Sequence, residues 1–182
     1  MDKQRVFRYL EEHLDDEIRF LSDFVRCESV NEGDGIHGKE YLAQDFFEAE
    51  LRDEEFDVVD RFAFDPEGLR PCVVAVRKGS GGGKSLILNG HCDVVPVSFP
   101  ERWVCDPFDP KLIDGKLYGR GTSDMKGGLT GMFFALKAIK ACGIPYPMDV
   151  PDNLEVIYQE THPRPNSLFG AAGCGEAPLT AP

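Results

Sequence analysis

From Lys3 to Val25 the apolar residues Val6, Leu10, Leu14, Ile18, Leu21 and Val25 fall three or four positions apart. That spacing predicts one amphipathic helix with a single apolar stripe. Residues 31–38 (NEGDGIHG) interrupt it with glycine and aspartate and read as a loop. A second helix is predicted over Lys39–Arg52, burying Tyr41, Leu42, Phe46 and Phe47. The period then changes. Phe56–Phe62 (FDVVDRF) and Cys72–Val76 (CVVAV) read as strands separated by a loop over Asp65–Pro71. Ser85–Asn89 (SLILN) is a short apolar run of the kind a sheet buries on both faces. Helical spacing returns over Lys126–Ala141, with Gly143 and Pro145 to stop it, and Leu154–Tyr158 (LEVIY) is a further strand. Helices, then strands, then a helix feeding another strand predict an α/β fold with a mostly parallel sheet flanked by helices.

The pattern ends near Glu160. Thr161–Pro182 contains four prolines and three glycines without periodicity, so the chain divides into a patterned part, 1–160, and a Pro/Gly-rich tail, 161–182.

Composition narrows the function. The 182 residues carry 32 acidic against 20 basic side chains, a formal net charge of -12. Phosphate neutralisation needs clustered Lys and Arg, so neither a nucleic-acid partner nor an anionic membrane surface is expected. No apolar run approaches the roughly 20 residues that span a bilayer. The acid-rich start, MDKQRVFRYLEEHLDDEIRF, has no continuous apolar segment of the secretory type. Six dispersed cysteines without a CxxC pair fit buried, reduced thiols, and with the preceding points suggest a cytoplasmic location.

Two stretches carry candidate chemistry. Gly79–Ser85 (GSGGGKS) resembles a phosphate-binding loop, but the first glycine of Gly-x-x-x-x-Gly-Lys-Ser falls on Lys78, and the stretch opens a strand where a helix is required. It reads as a flexible turn. The other candidate is Gly90–Trp103 (GHCDVVPVSFPERW) with Asp114–Gly128 (DGKLYGRGTSDMKGG). Residues two apart on a strand face one side, so His91 and Asp93 can act together: the imidazole binds a cation while the carboxylate takes its other N–H. Asp124, on a glycine-rich turn before the helix at Lys126, is a second candidate ligand. Imidazole nitrogen and carboxylate oxygen suit Zn²⁺. Each residue also has a plainer reading. A histidine at a strand end is commonly just hydrogen-bonded, and an aspartate before a helix is commonly its N-cap. Cys92 should point the opposite way and pack. Arg120 reads as the partner of an acidic neighbour and Lys126 as a solvated first-turn residue.

GHCDVVP, WVCDPF and DGKLYGRGTSDMKGG, in that order, resemble the signature blocks of the M20 metallopeptidase family, which includes acetylornithine deacetylase, succinyl-diaminopimelate desuccinylase and aminoacylases. The resemblance runs loosely from Leu10 to Gln159 and is specific from Leu86 to Gly128. It implies the N-terminal half of a di-zinc aminopeptidase-like catalytic domain, with Ser85–Asn89 central in the sheet. His91 would ligate one metal ion, Asp124 would bridge two, and Asp93 would belong to the catalytic machinery by orienting His91. The implied cofactor is two zinc ions, or cobalt in some members. The implied reaction is hydrolysis of an N-acyl amino acid or peptide-like small molecule. The family's Glu-Glu pair, whose first member is the base and second a metal ligand, should come after Leu154–Tyr158. Glu160 is single and too close to the strand, and Thr161–Pro182 has no such pair. The family's dimerisation domain and last histidine ligand are not among these residues either. The codons of Ala177–Pro182 can be read, one base out of frame, as Ser-Thr-Ala-Asn-Gly-Ala, which resembles the residues after the Glu-Glu pair in some members. A truncated, inactive hydrolase is therefore expected, the alternative being a non-catalytic binding module that keeps the fold.

Overall fold

The computed structural model describes residues 3–32, 38–63, 70–80, 86–145 and, as backbone, 155–160. The first segment forms two helices where one was expected: α1 (Lys3–Glu12) and α2 (Leu14–Arg26). At the break the His13 ring stacks on Tyr9, and Nδ1 donates to the Tyr9 carbonyl at 2.8 Å. The buried face also differs. Val25 is buried as expected, but Leu14 is exposed, and Phe20 and Phe24, outside the expected stripe, are buried. Large rings govern this choice, since each removes far more area from water than a leucine stripe at a helix end can. Phe20 packs edge-on to Phe24 and Phe47, and tilted against Phe46 and Phe133, with centroids 5.1–6.2 Å apart.

α3 (Glu40–Asp53) contributes Phe47 to this cluster as expected, but Tyr41, Leu42 and Phe46 are only half-buried. Its buried positions include Ala43, Gln44, Leu51 and Glu40. A buried carboxylate needs a partner, and Arg70 Nε donates to Glu40 Oε1 at 2.8 Å. β1 (Val58–Ala63) and β2 (Pro71–Arg77) come next, then β3 (Leu86–His91). A hairpin of β4 (Lys111–Ile113) and β5 (Lys116–Tyr118) precedes α4 (Lys126–Ala141), whose bounds match the sequence reading. The last strand is β6 (Glu155–Glu160); Leu154, expected to open it, lies outside the described residues, as do Ser85 and the tail.

The α/β class is as expected, with two corrections to the sheet. Its order is β1-β2-β6-β3, and among these described strands only β3–β6 is a parallel pair; β1–β2 and β2–β6 are antiparallel. The sheet is mixed in part because only residues 64–70 separate β1 from β2, fewer than the dozen or so that a crossover between parallel neighbours requires. A second correction concerns β3. Among the described residues it is an edge strand rather than a central one, and Leu86 and Ile87 are 45% and 67% exposed. β6 occupies the inner position, inserting between β2 and β3. α4 packs on β3 and α3 on β2, while α1 and α2 lie against α4. Cys27, Cys72, Cys92, Cys105 and Cys142 are all free thiols. Among the described residues no helix is long and apolar enough to cross a membrane.

Candidate metal centre

His91 is the last residue of β3, and the residue before it decides what can stand opposite. A Cβ placed on Gly90 would lie 2.6 Å from Leu129 Cδ2 and 2.9 Å from Met125 Cε. The Leu129 and Met125 side chains at the start of α4 thus occupy the space that a side chain at position 90 would need. The approach turns on Gly121, whose φ of +88° is open to glycine and costly for other residues. Lys126 N donates to Gly121 O at 2.9 Å and closes the turn. Asp124 is thereby carried to the end of β3. It does not cap the helix: the N-cap residue is Met125, with no side-chain cap bond. Instead Asp124 Oδ1 stands 3.1 Å from His91 Nε2, on a side chain 85% exposed.

On the other side of the ring, Asp93 is buried and its Oδ1 lies 3.1 Å from His91 Nδ1. The Asp93 carbonyl is also near, at 3.2 Å. Both are acceptors, so the Nδ1 proton belongs there. Nε2 then faces a carboxylate oxygen across hydrogen-bond distance, and two acceptors need a positive charge between them. A second proton supplies one, and the hydrogen bond to Asp93, against the opposing effect of burial, does hold the His91 imidazolium above the ordinary histidine range. A shared cation is the other solution. The donor set fits it: one nitrogen and one oxygen are zinc's preferred chemistry, and neighbouring donors in a tetrahedral zinc centre stand about 3.3 Å apart. Two donors do not complete a centre, however. Among the described residues no group of three or more His, Cys, Asp or Glu side chains is arranged to hold a metal ion.

The structure brings together all three residues singled out in the sequence, His91, Asp93 and Asp124, and alters the reading of their neighbours. Cys92 packs inward as expected, fully buried, with Gln44 Nε2 donating to its Sγ at 3.3 Å; burial pushes its thiol strongly upward. Lys126 is not solvated. It is buried, and Nζ donates to the carbonyls of Phe24 (2.8 Å) and Cys27 (2.9 Å), tying the end of α2 to the start of α4. Burial lowers its ammonium to about 8. Arg120 meets no acidic partner among the described residues: it lies over the Trp103 ring at 5.0 Å, and Nη2 donates to Pro96 O at 3.3 Å. Glu160 pairs with His91 in the β3–β6 register, at the same end of the sheet. Asn31, read in the sequence only as the start of a loop, donates from Nδ2 to Asp93 Oδ2 at 3.0 Å. No local pattern marked it, because the two residues are 62 positions apart.

Two solved structures share the fold: a di-peptidase from Saccharomyces cerevisiae (TM-score 0.68, 20% identity, covering 87% of this chain and 34% of that one) and an M20 family metallo-carboxypeptidase from Sulfolobus solfataricus (TM-score 0.61, 23% identity, covering 79% and 30%). Residues 87–158 match the sequence model of peptidase family M20/M25/M40, and as a partial chain the protein belongs to that family. Among curated relatives, an N-formyl-4-amino-5-aminomethyl-2-methylpyrimidine deformylase of Halalkalibacterium halodurans is 41% identical over 113 residues, 61% of this chain. A succinyl-diaminopimelate desuccinylase of Ruegeria sp. is 34% identical over 129 residues, 71% of this chain. The chain spans only 25% and 30% of the lengths of these two relatives.

Proposed function

We propose that this chain carries the first metal-binding half of a hydrolase that cleaves an amide C–N bond in an N-acyl amino acid or peptide-like small molecule. The single observation behind the reading is the His91–Asp124 couple, 3.1 Å apart and backed by Asp93, within the segment that matches the family. His91 Nε2 and Asp124 Oδ1 would hold zinc, or cobalt in its place, with a second ion shared through Asp124. The ion would supply Lewis acidity to a water and to the substrate carbonyl. Asp93 keeps the Nδ1 proton in place, so that Nε2 presents its lone pair. The relatives named as a desuccinylase and a deformylase both, by name, remove an acyl group, in the deformylase an N-formyl group, which supports an amide bond as the target.

Hydrolysis also needs a carboxylate to take the water proton and pass it to the leaving nitrogen, a contribution of about 10²–10⁴-fold. The sequence after β6 has no Glu-Glu pair to do this. The 182 residues by themselves are therefore proposed to be inactive. The competing reading, a non-catalytic binding module, is favoured by the lack of a third ligand among the described residues. An assay of N-acetyl, N-formyl and N-succinyl substrates with Zn²⁺ or Co²⁺ separates them. It compares the 182-residue chain with the product of the gene carried past codon 160 in each frame. Turnover confined to a longer product with a downstream Glu-Glu pair is expected. Metal-dependent turnover by the short chain would overturn the inactivity, and the lack of a Glu-Glu pair in every frame would leave the binding module.

A further inference from the structure

The segment that leaves α2 runs alongside the chain that leaves β3. Val30 and Val94 form a parallel bridge; Asn31 N donates to Val94 O, and Val94 N to Ser29 O, both at 2.9 Å. Ser29, fully buried, donates from Oγ to Cys92 O at 2.6 Å. These hydrogen bonds grip the backbone on either side of Asp93. They leave its side chain to be fixed by something else. Its two oxygens are divided: Oδ1 takes the His91 Nδ1 proton at 3.1 Å, and Oδ2 takes the Asn31 Nδ2 proton at 3.0 Å.

From this division we infer that Asn31 is a positioning residue of the centre: it holds the Asp93 carboxylate in the one orientation that places the His91 proton on Nδ1 and aims Nε2 at Asp124. The inference rests on the proposed zinc centre for its consequence but on hydrogen-bond geometry for its substance. A carboxylate held at one oxygen can rotate and offer either oxygen, or neither, to the ring. Held at both, it cannot. Partners of this outer kind fix the tautomer and ring direction of a ligating histidine, and their loss typically costs about 10–100-fold in metal affinity. Asn31 stands one contact further out than Asp93, so the lower end of that range applies. Its own backbone hydrogen bond to Val94 survives side-chain removal, which separates the positioning role from the clamp.

The test uses the 182-residue chain with Asn31→Ala, Asn31→Asp and Ser29→Ala. ¹⁵N NMR of the metal-free protein at a pH where His91 is neutral reads the ring tautomer directly. Zinc competition with a chromophoric chelator reads affinity, and far-UV circular dichroism reads folding. Nδ1–H is expected in the parent chain and in Ser29→Ala. Asn31→Ala is expected to show mixed tautomers and about 10-fold weaker zinc binding. Asn31→Asp, which sets a second carboxylate against Asp93, should be at least as impaired. A retained Nδ1–H signal in folded Asn31→Ala and Asn31→Asp overturns the inference, as does an equal tautomer change in Ser29→Ala. His91→Ala keeps the two claims apart: if zinc binding persists without His91, the metal reading fails, while the tautomer result still decides the role of Asn31.

Discussion

At Gly90 one missing side chain positions two candidate ligands. His91 is fixed by its strand and Asp124 by the turn ahead of α4, and the two meet because Leu129 and Met125 fill the space a Cβ at position 90 would occupy. Gly90→Ala should therefore force the Leu129 and Met125 side chains, or α4 with them, to shift. Overpacking of this kind costs about 1–3 kcal/mol, measurable as a lowered urea midpoint, and it should weaken zinc binding in parallel. Unchanged stability together with unchanged affinity would show that the helix does not depend on this contact. The candidate pair is legible in the sequence, because residues two apart on a strand share a face and Asp124 stands at a glycine-rich turn before a clear helix. Lys126 departs from its sequence reading for a physical reason. Charged residues in a first helical turn are usually solvated, and only the folded chain shows that the open carbonyls at the end of α2 await an ammonium.

Between elements, ties outside the centre hold the helices in place. Glu54, directly after α3, accepts from Lys137 Nζ at 2.8 Å, and its carbonyl accepts from Lys140 Nζ at 2.7 Å, so the C-terminal ends of α3 and α4 are joined. Burial alone would raise the Glu54 carboxyl, but the Lys137 and Lys140 partners outweigh it and hold the group below its ordinary value of 4.5. The unfolded chain then takes up the proton first as pH falls. The stabilisation is complete above that ordinary value and is lost as pH drops through the lower, folded one. Glu54→Gln should lower stability at neutral pH by about 0.5–1 kcal/mol, and the gap to the parent chain should close in acid. A gap that stays constant down to acid would mean the ion pairs contribute nothing. Element types and order are readable from periodicity, and α4 to its ends. Strand order is not. The placement of β6 between β2 and β3 depends on pairings of residues more than 60 positions apart, to which local apolar spacing is blind.

Across the whole molecule, an aromatic cluster contributed by α2, α3 and α4 packs together with residues of a mixed sheet, and the candidate site lies where β3 ends and α4 begins. The family resemblance is legible because its blocks are contiguous in sequence, whereas Asn31 has to be brought from another part of the chain by folding. The central claim is that His91 and Asp124 share a cation. Calorimetric titration of the 182-residue chain with Zn²⁺, repeated on folded His91→Ala and Asp124→Ala, tests this most directly. Because the described residues bring only two candidate ligands together, binding no tighter than about micromolar is expected, roughly -8 kcal/mol, and it should vanish in both variants. Zinc binding of undiminished affinity in both variants would contradict the assignment.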